Sequence, residues 1–212
     1  MTRNHFRYAM YLFVASCISC ANAGAYEDFF QATDRDDGDT VRGLIQRGMD
    51  PNSRDPRGQT ALHLALRGES PRVAEALWAS PALDIDAVNA DGETPLMMAA
   101  LKGNLAWAKR LLDRGAKIHR DGWSPLHYAA TGSEPKIVVM LLDRGAPIDA
   151  LSPNKTTPLM MAARYGSEAN VELLLARGAN KRLRNDLDLD ASAFAKLGGR
   201  DFLLPRLDAA PR

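Results

Sequence analysis

The heptapeptide "TPLMMAA" stands twice in this chain, at residues 94–100 and 157–163, with near-copies "TALHLAL" at 60–66 and "SPLHYAA" at 124–130. No other feature narrows the possible folds as much. Aligning the sixth residue of each copy extends the series to Ala32, Ala65, Ala99, Ala129, Ala162 and Ala195, at spacings of 33, 34, 30, 33 and 33. A fixed period of this length means one small unit repeated, and a unit this small buries its apolar face only by stacking on its neighbours.

Each unit continues into a second apolar block: "VRGLIQRGMDPN" at 41–52, "RLLDRGAKIH" at 110–119, "MLLDRGAPID" at 140–149 and "ELLLARGANK" at 172–181. The hydroxyls of Thr60, Thr94, Ser124 and Thr157 are placed to cap a helix. Pro95, Pro125 and Pro158 follow in the first turn, where a missing N–H is harmless. Leu62, Leu96, Leu126 and Leu159 face inward, and Gly48, Gly115, Gly145 and Gly178 stop the second helix. Each repeat therefore reads as helix, turn, helix, loop.

On these motifs the chain resembles the ankyrin-repeat family from about residue 26 to its end. The resemblance implies an all-α solenoid of stacked helix-turn-helix units with short β-turn finger loops. It divides residues 24–212, taken as one domain, into an amino cap at about 26–56, repeats at about 57–90, 91–120, 121–153 and 154–186, and a carboxyl cap at about 187–207. In the amino cap, "YEDFFQATDRDDGD" replaces the capped start and predicts a shorter, more acidic first helix. The loop after the second helix of the 91–120 repeat is clipped, with three residues between Ile118 and Gly122, so one finger is expected to be short. "ASPALDID" at 79–86 adds a residue and puts Pro81 where the other repeats have glycine.

Residues 1–23 stand outside the period. "MTRNHFR" has Arg3 and Arg7 and no acid, "YAMYLFVASCIS" is largely apolar, and "ANA" at 21–23 has the small-x-small pattern cut by signal peptidase. The segment reads as a secretory signal peptide of bacterial type, its apolar stretch being shorter than the ~20 residues that span a bilayer. "VASC" at 14–17 supports a rival cut, a lipobox in which Cys17 is lipidated and anchors the protein to a membrane. Cleavage after Ala23 removes Cys17 and Cys20, the only cysteines, together with two of the 27 basic and none of the 26 acidic residues, leaving a formal charge of −1. Cysteine redox chemistry, disulfides and thiolate metal sites are then excluded.

The sequence offers no enzyme motif: no Gly-x-Ser-x-Gly, no phosphate-binding glycine loop and no His/Asp/Glu spacing suited to a metal. His63 and His127 fall where the family uses a histidine structurally, to bond the neighbouring loop, and Met97 and Met160 replace it in two repeats. The pairs Met97/Met98 and Met160/Met161 could serve soft metals or redox chemistry, but gap-filling in the core explains them better. A formal charge of +1 over 212 residues shows no basic excess for nucleic acid. An extended surface also disfavours a small-molecule substrate, and no cofactor is implied.

What the resemblance implies is a non-catalytic scaffold that binds a protein on the concave face made by the fingers and the first helices. The fingers offer Arg57, Gln59, Asp91, Glu93, Arg120, Asp121, Trp123, Asn154 and Thr156. The ends of the first helices add Arg67, Leu101, Lys102, Thr131, Arg164 and Tyr165. Trp123, flanked on neighbouring repeats by Leu101 and Tyr165, has the composition of an interface hot spot, and its alternative role is to fold over the gap left by the clipped finger. The residues expected at the partner are Trp123, Tyr165, Leu101, Lys102, Arg120, Arg164, Arg67 and Glu93. Expected localisation is periplasmic, with a membrane-anchored envelope lipoprotein or a secreted effector of a host protein as alternatives.

Overall fold

The computed structural model describes residues 24–208, so the signal-peptide and Cys17 readings lie outside the described residues. Those residues form two compact units, one ending at Leu83 and one beginning at Asp84, and the added residue and Pro81 sit beside that boundary. Both are all-α repeat structures, the fold class of a helix-turn-helix solenoid.

The first unit contains α1 over 24–34, α2 (Gly38–Gln46), α3 (Ala61–Gly68) and α4 (Pro71–Trp78). The first helix is longer than the equivalent α3, the reverse of the expected shortening: with no Thr-Pro start to fix its entry, helix continues back past Tyr26 and buries Phe29 completely. Phe30 packs against Phe29 edge to face at 5.3 Å and against Tyr26 at 5.0 Å, and the Tyr26 hydroxyl donates to Arg54 O at 2.6 Å. Asp36 accepts from Val73 N at 2.9 Å, fixing the α1–α2 turn to the start of α4.

In the second unit the first helices α5 (Pro95–Leu101), α7 (Pro125–Thr131), α9 (Pro158–Tyr165) and α11 (Ala191–Leu197) pack in a row. The second helices α6 (Leu105–Asp113), α8 (Pro135–Asp143) and α10 (Glu168–Ala176) form the row behind, and a 3₁₀ turn (Asp201–Leu203) and α12 (Leu204–Leu207) close the end. The cap residues Thr94, Ser124 and Thr157 are extended, each with proline in the first turn that follows. Thr94 and Thr157 Oγ1 accept from the backbone N–H groups of Met97 and Met160 at 3.4 and 3.3 Å.

Ala99, Ala129, Ala162 and Ala195 are all buried where the first helices meet. Small side chains bring these helices close enough for backbone to meet backbone. A Cβ on Gly166, just after α9, would lie 2.0 Å from Ala130 O of α7, so this position needs glycine for space, at an ordinary φ of −78°. Such close approach leaves carbonyls at the helix ends in need of donors. Asn170 supplies them for α7: its buried amide nitrogen donates to Ala129 O, Ala130 O and Gly132 O at 3.2, 3.1 and 2.8 Å. Arg200 Nη1 does the same for α9, donating to Ala162 O at 2.8 Å and Ala163 O at 3.1 Å.

Repeats are also joined at the loop bases. Asp86 accepts from Lys117 N at 2.9 Å, and Asp149 accepts from Asn180 N at 3.0 Å. In the register of the repeats, His119 of the clipped loop stands where the others have Asp86 and Asp149, while the position matching Lys117 and Asn180 is Pro147, which has no N–H. Along the second helices, Arg144 pairs with Asp113 at 2.8 Å and Arg177 with Asp143 at 2.9 Å. These side chains are more than a third exposed, so each pair stabilises little.

Candidate partner-binding face

The finger loops are built by one rule. At Asp55, Asn89, Ser152 and Asn185 the backbone N–H donates to the carbonyl four residues on, at 2.8 to 3.0 Å, and the carbonyl accepts from the N–H three residues on. The side-chain oxygen of the same residue accepts the N–H four residues on, at 2.7 to 3.0 Å. Short side chains with an acceptor oxygen are required for this bracket. The clipped finger has His119 in that position, which cannot fold back in the same way, and no such bracket closes there. Counted from the bracketing residue, Gln59, Glu93, Trp123 and Thr156 occupy equivalent places. These places face inward: Gln59 and Thr156, expected on the finger surface, are buried, because the bracket turns them under the loop.

Trp123 is half-buried, with its ring edge-on to His127 at 5.2 Å. It lines a cavity of about 200 Å³ with Leu101, His127, Tyr128, Thr131 and Met161, between α5, α7 and α9. Of the residues expected at a partner, the structure therefore brings Leu101 and Trp123 together.

The polar groups around this cavity are engaged inside the protein. His127 Nδ1 accepts from Ser124 N at 3.2 Å and lies 2.8 Å from Ser124 Oγ, which leaves the proton on Nε2 to be donated to Thr156 O at 2.9 Å. Burial lowers the His127 pKa, and the carbonyl bond to Thr156 opposes this in part. In the first unit, His63 Nδ1 makes the same pair of contacts with Thr60, at 3.4 Å to N and 2.8 Å to Oγ1. Where the chain has methionine, Met97 and Met160 Sδ take the acceptor place, each 3.4 Å from the cap N–H of Thr94 or Thr157. A thioether keeps the acceptor and loses the donor.

Tyr128 was not among the expected site residues. Its hydroxyl donates to Glu93 Oε1 at 2.8 Å, while Asn89 donates to Oε2 at 2.8 Å. Burial, then the Glu93 bond and charge, push the Tyr128 pKa well above its ordinary value. The readable signal was its position: it stands where Leu64, Met98 and Met161 stand in the other repeats, so a hydroxyl there needs an acceptor. Arg120 donates to Gly92 O, bringing the clipped finger against its neighbour.

The remaining expected residues lie further out. Tyr165 is 54% exposed, with the Arg164 guanidinium 4.9 Å from its ring centre. It is one helical turn from Met161, so both lie on one face of α9. Lys102 is exposed just beyond α5. Arg67 belongs to the first unit, where it lines a separate cleft of about 440 Å³ with Arg57 and Asp34. Among the described residues no group of three or more His, Cys, Asp or Glu could hold a metal, and no helix is long and apolar enough to cross a membrane.

A family model described as Ankyrin repeats (3 copies) matches residues 29–121 and 116–185. The chain is 34% identical over 168 residues to the B-cell lymphoma 3 protein homolog of Mus musculus, covering 78% of this chain and 31% of that protein. It is 34% identical over 136 residues to the ankyrin repeat protein nuc-2 of Neurospora crassa, covering 64% of this chain and 10% of that one. A likeness to the poly(ADP-ribose) polymerase tankyrase of Caenorhabditis elegans, 41% over 70 residues, takes in 32% of this chain and 3% of the enzyme. The chain thus spans less than a third of each of these relatives, and the tankyrase match runs through repeats alone.

Proposed function

Because the chain belongs to the ankyrin-repeat family, whose repeats typically mediate protein–protein interaction, we propose that it is a non-catalytic scaffold holding a protein partner on the finger and first-helix face of its second unit. The observation that carries this reading is the cavity bordered by Leu101 and Trp123, with Tyr165 exposed one turn beyond Met161. Apolar and aromatic side chains left open on a rigid repeat surface are the usual makings of an interface centre. Lys102, Arg120, Arg164 and Glu93 supply a polar rim of both signs, which suits a protein more than a polyanion. Arg67 belongs to the first unit and is proposed as a contact of that unit by itself.

The protein works outside the cytoplasm of a bacterium, in the periplasm, with Gly24 as its first residue. Support comes from the signal-peptide pattern of residues 1–23. The "VASC" stretch favours a second reading, a lipoprotein anchored through Cys17. The mass of the exported chain separates them: an unmodified chain starting at Gly24 supports the first, and a diacylated Cys17 the second.

Affinity capture from the exporting compartment tests the binding role, with wild type compared to a Trp123→Ala/Tyr165→Ala double variant. A protein retained by the wild type and lost by the variant supports this face. Equal retention by both moves the partner elsewhere on the chain.

A further inference from the structure

The α5–α7–α9 cavity is about 200 Å³, room for one large side chain, and the question is what chemistry would enter it. Hydrogen-bonding groups on its walls are already satisfied: His127 by Ser124 and Thr156, the Tyr128 hydroxyl by Glu93, and Thr131 Oγ1 by His127 O at 2.9 Å. A polar group buried there would find no partner and would lose its water, so the part that enters must be apolar. One donor is left over. The Trp123 indole N–H makes no hydrogen bond among the described residues and is open to water, so a partner that covers it must supply an acceptor in place of that water. An apolar side chain with a carbonyl beside it satisfies both conditions, and that combination is a polypeptide.

Charge adds a second requirement. On the finger side of the cavity, Glu93 is held by Tyr128 and Asn89, and the Arg120 guanidinium is turned to Gly92 O. Asp91 and Asp121, exposed on adjacent fingers, make no ion pair among the described residues. Asp91 lies close enough to help hold the Tyr128 phenol protonated. The Arg120 guanidinium keeps its charge when bonded to a carbonyl, so it offsets one of the three carboxylates Asp91, Glu93 and Asp121, and this flank stays net negative beside an apolar cavity.

Resting on the scaffold reading above, we infer that the partner inserts one large apolar side chain between Leu101, Trp123 and Met161, gives a backbone carbonyl to the Trp123 indole, and carries a lysine or arginine within two residues of that anchor to face Asp91 and Asp121. The specificity is thus an apolar anchor with a basic neighbour. An acidic segment is repelled from the finger flank, and a bare hydrocarbon chain leaves the indole N–H unmet.

A phage-displayed library of random twelve-residue peptides, selected on the full chain, provides the probe. Enriched peptides are expected to share a Phe, Trp, Leu or Met with Lys or Arg within two positions. Their affinity for Thr131→Phe, which fills the cavity, is expected to fall at least tenfold. Asp91→Lys/Asp121→Lys changes only exposed side chains and so keeps the fold; it is expected to weaken binding about tenfold and to lose the basic preference, whether or not Thr131→Phe folds. Peptides without a shared apolar residue, peptides rich in acid, unchanged binding to the charge-reversed variant, or no enrichment at all each overturn the inference. If the protein retained in the Trp123/Tyr165 capture still needs that face while the peptides fail these criteria, the scaffold reading stands and only this account of the partner falls.

Discussion

His127→Met exchanges one repeat's cap chemistry for another that the same chain already uses. Met97 and Met160 show that a thioether serves as acceptor for the cap N–H, so the substitution keeps that contact and the filled volume. What it removes is the Nε2 bond to Thr156 O. Thr156 O retains the N–H of Ser152 at 3.0 Å, so it is not left without a partner, and the cost is that of one buried neutral hydrogen bond, about 1 kcal/mol. His127→Ala loses the cap acceptor and opens a cavity as well, which raises the cost to roughly 3 kcal/mol.

The pH dependence separates the variants further. The His127 pKa is lowered in the folded protein, so on acidification the unfolded chain takes up the proton first. The stabilisation due to the neutral imidazole is complete above about pH 6.5 and declines below it, by at most about 1.4 kcal/mol per pH unit, until the folded-state pKa is reached. His127→Met lacks this loss. Urea unfolding at pH 7.5 and 5.5 therefore shows wild type ahead by about 1 kcal/mol at the higher pH and the gap narrowing at the lower. Equal costs for the Met and Ala variants, or a gap unchanged between the two pH values, would refute the bonding scheme.

Three further outcomes test the packing. Gly166→Ala forces a Cβ against Ala130 O and is expected to lower stability by more than about 2 kcal/mol, whereas Gly43→Ala, inside α2 with nothing within 4 Å, is neutral or stabilising by up to about 1 kcal/mol; urea midpoints compare them. Asn170→Asp places a carboxylate against three carbonyls and is expected to cost more than Asn170→Ala at pH 7, with thermal melts at pH 4 bringing the two together. Tyr128→Phe removes a phenol whose pKa is raised: ultraviolet titration of the wild type shows one tyrosine ionising above the ordinary phenol range, and the variant lacks that step.

The period, the caps and the glycine stops were readable because each is a local requirement: a hydroxyl before Pro95 or Pro158 can do little else than cap a helix. The finger interiors were less readable. Gln59 and Thr156 look like surface residues in sequence, and only the bracket formed by Asp55 or Ser152 shows that they turn inward. The longer α1 is illegible for a related reason: the acidic run after Phe30 suggests a short helix, and only packing shows that Phe30 lies against both Tyr26 and Phe29. The cavity was half visible. Leu101 and Trp123 carried a signal, but the bond from Tyr128 to Glu93 spans 35 residues and depends on how two fingers are set, which no local pattern states.

The clipped loop and Pro147 bear on how such a chain can change over time. Elsewhere in the second unit the loop-base aspartate and the following repeat's N–H form a matched pair, so one ordinary repeat could be copied or exchanged for another. Here the acceptor and the donor are both gone. Replacing His119 by aspartate alone would set a carboxylate opposite a ring that cannot answer it, and replacing Pro147 alone would create an N–H with no carboxylate in register. Neither change is useful without the other, so the 91–120 and 121–153 repeats are matched to each other, and a duplication or deletion that parts them begins at a disadvantage.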